Sequence, residues 1–360
     1  MSVVLSILFQ LGGFLLGGYL LSYGINLLSL RFTKSLGIRN KNDLTVRWSN
    51  ESKPSLGGIS LYFVFLFSGI LFAIFYFEDH IFRDKEYLGL LGAASIAFIL
   101  GITDDTFNTR PLIKLSTQIL CGVIIALSGT TVDLTSSDNA NFALTIIWIV
   151  GLMNSLNMLD NMDGITGTVS IFILASCLGT NFIILDFNTN FWSVILVAQI
   201  GALIGFLRFN IYPSKMFMGD TGSMFLGLFI GFYSIKGLIN TSVNEHIPQW
   251  VSILITLTAM APASIDTITV IINRLRAGKS PMVGGKDHTT HHLVYSGKTD
   301  KQVWLIFLLL SVTSGALALL LIYGSKHGKP SVAFIGLLFF CVTFYWLYRN
   351  TILYKPKEKV

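Results

Sequence analysis

The chain has 360 residues, of which 52% are hydrophobic and only 12% charged. Soluble domains carry about 25% charged residues, so an ordinary soluble enzyme is excluded and a chain immersed in lipid is expected. The formal charge of +6 does not by itself argue for nucleic acid. The three cysteines (Cys121, Cys177, Cys341) all fall in apolar runs, where they act as small hydrophobes rather than as a disulfide or metal framework.

Runs of about 17–25 apolar residues can cross a bilayer, and eleven are present. The first, near 3–30, is too long for a signal peptide and has no small-residue cleavage site. Lys53, Gly57 and Gly58 stand at the mouth of the second, near 56–77. The third, near 87–103, ends on Asp104 and Asp105, and a polar knot from Thr103 to Pro111 leads to the fourth, near 112–129, with Lys114 in its first turn. The fifth, near 142–158, runs into Asn154, Asn157, Asp160, Asp163 and Gly164. The sixth and seventh lie near 164–186 and 191–208. Asn210, Phe217 and Asp220 precede the eighth, near 221–239. Asp266 lies inside the ninth, near 250–273, and a Gly- and Lys-bearing loop with His288, His291 and His292 follows. The last two lie near 302–323 and 330–350.

With eleven spans and the N-terminus outside, only Arg83, Lys85, Lys236, Lys326 and Lys329 of the 25 Lys and Arg are external. Residues such as Arg39, Lys41, Arg47, Lys357 and Lys359 then lie inside, as the positive-inside rule requires. The expected fold is therefore all-α: a polytopic bundle of about eleven helices, one integral-membrane domain over 1–360, with a cytoplasmic C-terminus. This threading uses only cations, yet it gathers Asp104, Asp105, Asp160, Asp163, Asp220 and the histidines on the cytoplasmic face. Acids at the edge of hydrocarbon are functional candidates by default, and oxygen ligands of this kind suit a hard cation and its phosphates.

Each group also has a plain structural reading. Asp104 and Asp105 are either a solvated helix end or a base with its charge partner, since adjacent carboxylates repel unless cations lie close. Asn154, Asn157 and Asp160 advance 300° per three-residue step and so share about 120° of one helical face; they are ligands, or caps and interhelical bonds. Asp220 is an N-cap, a role compatible with anion binding at the same helix start. The histidine loop is either solvated or a diphosphate clamp, and zinc is disfavoured by ligand spacing. Asp266 pairs with a neighbouring polar group or with Arg274. Lys53 with its glycines makes a turn and helix start.

Taken in order over roughly 50–295, these motifs resemble the polyprenyl-phosphate N-acetylhexosamine-1-phosphate transferase family. The resemblance implies transfer of a sugar 1-phosphate from a UDP-N-acetylhexosamine, GlcNAc first, to undecaprenyl phosphate with release of UMP, in a bacterial inner membrane. It implies Mg²⁺, with Mn²⁺ as an alternative, held by Asp220 with Asn157. Asp104 would deprotonate or orient the lipid phosphate beside Asp105 and Lys114. Asp163, Asn210 and Phe217 would hold the uridine, with Asp160 close to metal and nucleotide, and His288, His291 and His292 on the diphosphate or sugar. Lys53 and Asn154 complete the expected substrate contacts. Family members acting on UDP-GlcNAc usually carry His-x-His-His, whereas here one extra residue separates His288 from His291 and His292. Membrane lipids and a second copy in a homodimer are the other expected partners. The runner-up is the phospho-MurNAc-pentapeptide translocase. An ion-coupled transporter is a distant reading, since it would want acids at mid-membrane and repeats.

Overall fold

A backbone inside lipid must satisfy its own N–H and C=O groups, so long apolar runs fold as helices. The computed structural model describes residues 2–36, 53–76, 80–184, 190–241, 247–281 and 284–355, and no strand occurs among them. Arg39, Lys41, Arg47, Lys357 and Lys359 of the charge argument lie outside the described residues. The helices are α1 (Ser2–Leu36), α2 (Gly57–Phe75), α3 (Lys85–Phe107), α4 (Pro111–Leu127), α5 (Asp138–Leu159), α6 (Ile165–Ile184), α7 (Phe191–Asn210), α8 (Gly219–Ser234), α9 (Gln249–Ala259), α10 (Ala261–Arg276), α11 (Thr289–Tyr295), α12 (Asp300–Lys326) and α13 (Ala333–Leu353). Every apolar run has its helix. Nine helices among the described residues have the length and apolarity to span a membrane, the bent pair α9–α10 makes a tenth, and α4 is a shorter apolar helix.

The ninth run departs from the single span expected over 250–273. It is two helices bent by 82° at Met260. Pro262 in the first turn of α10 explains the break, because proline has no N–H and its ring collides with the carbonyl four residues back. That carbonyl, of Thr258, accepts a hydrogen bond from the Ser314 hydroxyl on α12 instead, with the Ala259 carbonyl 3.4 Å away. The freed backbone is thus satisfied within the protein, as hydrocarbon demands.

The helix α8, continued by a π-helical turn over Ile235–Ile239, is the centre of the bundle: 94% of its span is buried, against 17% for α1. Neighbours reach its backbone through glycine. A Cβ on Gly58 of α2 would lie 2.1 Å from the Gly222 nitrogen, and one on Gly101 of α3 would lie 2.3 Å from the Thr221 Cα. Lipid gives no hydrophobic drive between helices, so close backbone contact through small residues is what packs them. Both contacts grip the first turn of α8, immediately beside Asp220.

Candidate active site

The turn before α8 is fixed from three sides. Pro54 O accepts from Phe217 N at 3.0 Å, and Gly57 N and Gly58 N donate to the Phe217 and Met218 carbonyls at 3.1 and 3.0 Å. Gly219 has φ +74°, and a Cβ there would also fall 2.6 Å from the Asp105 carboxylate, so glycine is required on both counts. The helix then starts with its backbone donors turned to Asp105. Asp220 N donates to Asp105 Oδ1 at 3.1 Å, and Thr221 N and Oγ1 donate to Asp105 Oδ2 at 2.9 and 2.7 Å. Asp105 therefore caps α8 from another helix, and the residue expected to cap it, Asp220, is released to face outward.

Asp104 is organised by its own helix end. Asn108 adopts a left-handed conformation (φ 51°) that closes α3. This folds Thr109 back, so that its N and Oγ1 donate to Asp104 Oδ1 at 2.8 and 2.6 Å. Asp104 Oδ2 is left to pair with Lys114 Nζ, which also stands 3.4 Å from Asp220 Oδ2. Asn157 Nδ2 donates to Asp220 Oδ1 at 2.7 Å and to Ser223 Oγ at 3.0 Å. One lysine ammonium thus lies between two carboxylates drawn from α3 and α8, with an amide of α5 alongside.

These groups line a cavity of about 1150 Å³ at one end of the bundle. Its wall holds Lys53, Asp104, Asp105, Lys114, Asn154, Asn157, Asp160, Asp163, Asn210, Phe217, Asp220, His288 and His291. His292 is absent from it: its Nδ1 faces the Tyr354 carbonyl. Several members are also spent on structure. Asn210 accepts from Gly164 N at 3.0 Å and donates to Met216 O at 2.9 Å, so its amide joins two turns of the wall. Asp163 accepts from Ser214 N at 3.0 Å and lies 4.0 Å from Lys53 Nζ, which stands 5.6 Å from the Phe217 ring centroid. The α5 helix ends at Leu159, before Asp163, and Asp160 is its C-cap.

Sequence reasoning missed Gln118. It lies one turn after Lys114 on α4 and makes a reciprocal amide pair with Asn154: Asn154 Nδ2 donates to Gln118 Oε1 at 2.8 Å, and Gln118 Nε2 to Asn154 Oδ1 at 3.3 Å. A buried glutamine four residues from a candidate lysine in an apolar helix was the available signal. Asn161 was also missed; its Oδ1 accepts from Thr290 Oγ1 at 2.6 Å and ties the turn after α5 to α11. The partner of Asp266 is His288, not Arg274, which makes a two-pronged pair with Asp287 at 2.7 Å on each prong. That pairing, with Arg274 buried, holds the Asp287 carboxyl below the usual carboxylate range against the opposing effect of its burial.

Burial acts on two of the histidines. Burial pushes His291 down from 6.5 to about 3, helped by the neighbouring His288, so it is neutral. Its Nδ1 accepts from His288 N at 3.4 Å and its ring also bonds the Asn161 backbone. Burial likewise lowers His292.

A divalent metal is implied by the resemblance. No group of three or more His, Cys, Asp or Glu among the described residues is arranged to hold one. The donors at hand are the carboxylates of Asp104 and Asp220 and the Asn157 amide, whose Nδ2 is engaged and whose Oδ1 can face a cation. All are hard oxygens. This set fits Mg²⁺, which keeps several waters and completes its shell on substrate phosphate rather than in a closed protein cage.

A bundle of membrane-length helices with one polar, carboxylate-bearing cavity at a single end defines a multi-pass membrane enzyme. Residues 87–238 match the model of glycosyl transferase family 4. It is 27% identical over 300 residues to a Bacillus subtilis protein named "Probable undecaprenyl-phosphate N-acetylglucosaminyl 1-phosphate transferase", covering 79% of this chain and 78% of the relative. It is 26% identical to the decaprenyl-phosphate N-acetylglucosaminephosphotransferase of Mycolicibacterium smegmatis, covering 73% and 70%. It is 28% identical to a phospho-N-acetylmuramoyl-pentapeptide-transferase of Campylobacter jejuni, covering 74% and 80%.

Proposed function

We propose that the chain transfers N-acetylglucosamine 1-phosphate from its UDP-sugar to undecaprenyl phosphate, releasing UMP, at the cytoplasmic face of a bacterial inner membrane. The observation that carries this reading is the convergence of Asp104, Lys114, Asn157 and Asp220 on one point of a large cavity at the end of an apolar bundle. Pockets for one small ligand are roughly 300–1,000 Å³; a cavity of about 1150 Å³ leaves room for a sugar nucleotide and a lipid phosphate together.

Phosphoryl transfer asks a protein mainly to position its reactants and neutralise phosphate charge. In the proposed step an oxygen of the lipid phosphate attacks the sugar-bearing phosphorus of the diphosphate. The bond to the bridging oxygen breaks, and UMP leaves with that oxygen. Lys114 draws the attacking and reacting phosphates together, and Asp104 holds Lys114 and orients the lipid phosphate. Asp220 and Asn157 would hold Mg²⁺, which when bound offsets the charge on the diphosphate oxygens. Phe217 offers a face for uracil stacking, with Asp163 and Lys53 beside it. Asn210 supports this wall through its backbone bonds. Asp105 acts one step back, by fixing where α8 begins.

The test offers purified protein undecaprenyl phosphate, Mg²⁺ and a panel of UDP-sugars, and measures UMP. Release with UDP-GlcNAc is expected. Release only with UDP-MurNAc-pentapeptide would move the chain to the translocase reading, and no release with any UDP-N-acetylhexosamine would overturn the function.

A further inference from the structure

Asp266 has been given no part in the site, yet it is fully buried and every one of its hydrogen bonds goes to the histidine loop. Oδ1 accepts from Thr289 N at 2.8 Å and from Thr289 Oγ1 at 2.5 Å. Oδ2 stands 2.9 Å from His288 Nδ1. A buried carboxylate is costly unless partners of this kind surround it. Three contacts from two consecutive residues fix both the start of α11 and the orientation of one ring.

The same loop sets the other histidines aside. His291 also lines the cavity, but burial holds it neutral and its Nδ1 accepts from the His288 N–H. His292 faces the Tyr354 carbonyl, away from the cavity. His288 lines the cavity, and its Nδ1 is committed to Asp266, so Nε2 is the ring nitrogen left to meet a ligand there.

We propose that Asp266 is the positioning residue of His288: it holds the proton on Nδ1 and thereby sets Nε2 toward an anionic oxygen of the cavity ligand. The identity of that oxygen as part of a sugar diphosphate rests on the function proposed above; the pairing itself does not. A carboxylate behind a histidine fixes its tautomer and ring orientation in metal sites and in hydrolases alike. Asparagine in its place keeps the shape but can present an N–H to Nδ1, which reverses the tautomer.

Two measurements test this. First, ¹⁵N-histidine spectra of wild type and His288→Gln identify the His288 signals by their loss. Nδ1 carrying a proton is expected, and a bare Nδ1 would overturn the pairing whether or not the chain has the proposed activity. Second, Asp266→Asn is expected to lower kcat by about 10–100-fold with KM for the sugar nucleotide within about threefold, the range seen when such supporting partners are removed. In a His288→Gln background the same change should cost little more. Equal losses in both backgrounds would make Asp266 a helix cap only. Thr289→Val, which removes one bond to Asp266 and leaves the ring contact, should stay within about threefold of wild type; a loss as large as that of Asp266→Asn would also favour the cap. If the wild type releases no UMP, the function falls and the spectra alone decide the pairing.

Discussion

Replacing Asp105 by Asn separates two jobs that the sequence could not tell apart. The carboxylate accepts from Asp220 N, Thr221 N and Thr221 Oγ1. An amide keeps the shape but turns one accepting oxygen into a donor, which must then face a backbone N–H of α8. One hydrogen bond to a charged group is lost, about 1.5–3 kcal/mol, and the negative charge at a helix N-terminus adds roughly 0.3–1 kcal/mol. The sum, about 2–4 kcal/mol, should lower the unfolding temperature in detergent by several degrees. Asp220 itself supplies one of these N–H donors, so it shifts with the first turn of α8. A displacement of about 1 Å in a positioned group costs on the order of 10²-fold in rate. Thermal unfolding and UMP release on the same preparation read both effects. Turnover abolished at an unchanged unfolding temperature would refute the capping role and return Asp105 to the chemistry.

Four further outcomes follow from the geometry. Gly101→Ala puts a methyl against the Thr221 backbone and should cost about 1–3 kcal/mol of stability, with activity falling more than binding of UMP; unaltered turnover would show that α8 yields at this contact. Gln118→Ala removes the donor to Asn154 Oδ1, while Asn154 Nδ2 keeps the Val150 carbonyl, and should cost about 1–3 kcal/mol, whereas Gln118→Glu, which keeps one acceptor, should cost less in the same melting assay. Asp104→Asn should abolish turnover while sugar-nucleotide binding by calorimetry survives; lost binding would make Asp104 a binding residue. His291 has its folded value depressed to about 3 from 6.5, so its stabilising effect is present above about pH 6.5 and is lost as pH falls toward 3. At about 1.36 kcal/mol per unit this reaches about 2 kcal/mol by pH 5, and His291→Gln should flatten the fall of melting temperature between about pH 7 and 5.

What was legible in the sequence was what local pattern carries. Apolar runs gave the helices, and helix ends rich in Asp and Asn pointed to residues that share one cavity. What was not legible depends on partners far along the chain. Pro262 is visible as a breaker, but its effect is tolerable only because Ser314 on α12 takes over the freed carbonyls. Asn210 looks like a ligand until Gly164 and Met216 are seen to occupy its amide. The extra residue in the histidine run hides that His288 pairs with Asp266, 22 positions earlier.

Asp105 and Asp266 make the general point sharper. Each is an acid in an apolar setting, and each would be ranked as a ligand on that ground alone. Instead each gives oxygens to the start of a helix elsewhere in the fold, α8 for Asp105 and α11 for Asp266. In both cases the helix so anchored carries a cavity-lining group at or beside its first residue: Asp220 in one, His288 in the other. Helix starts expose backbone donors that lipid cannot satisfy, so an acid placed there settles that need and sets the register of its neighbour at the same time. Two other acids of the cavity wall, Asp104 and Asp220, have an oxygen turned to Lys114 instead. Which oxygens are already taken therefore separates these aspartates, and by taking the cap Asp105 leaves Asp220 turned to Asn157 and Lys114 in the cavity wall.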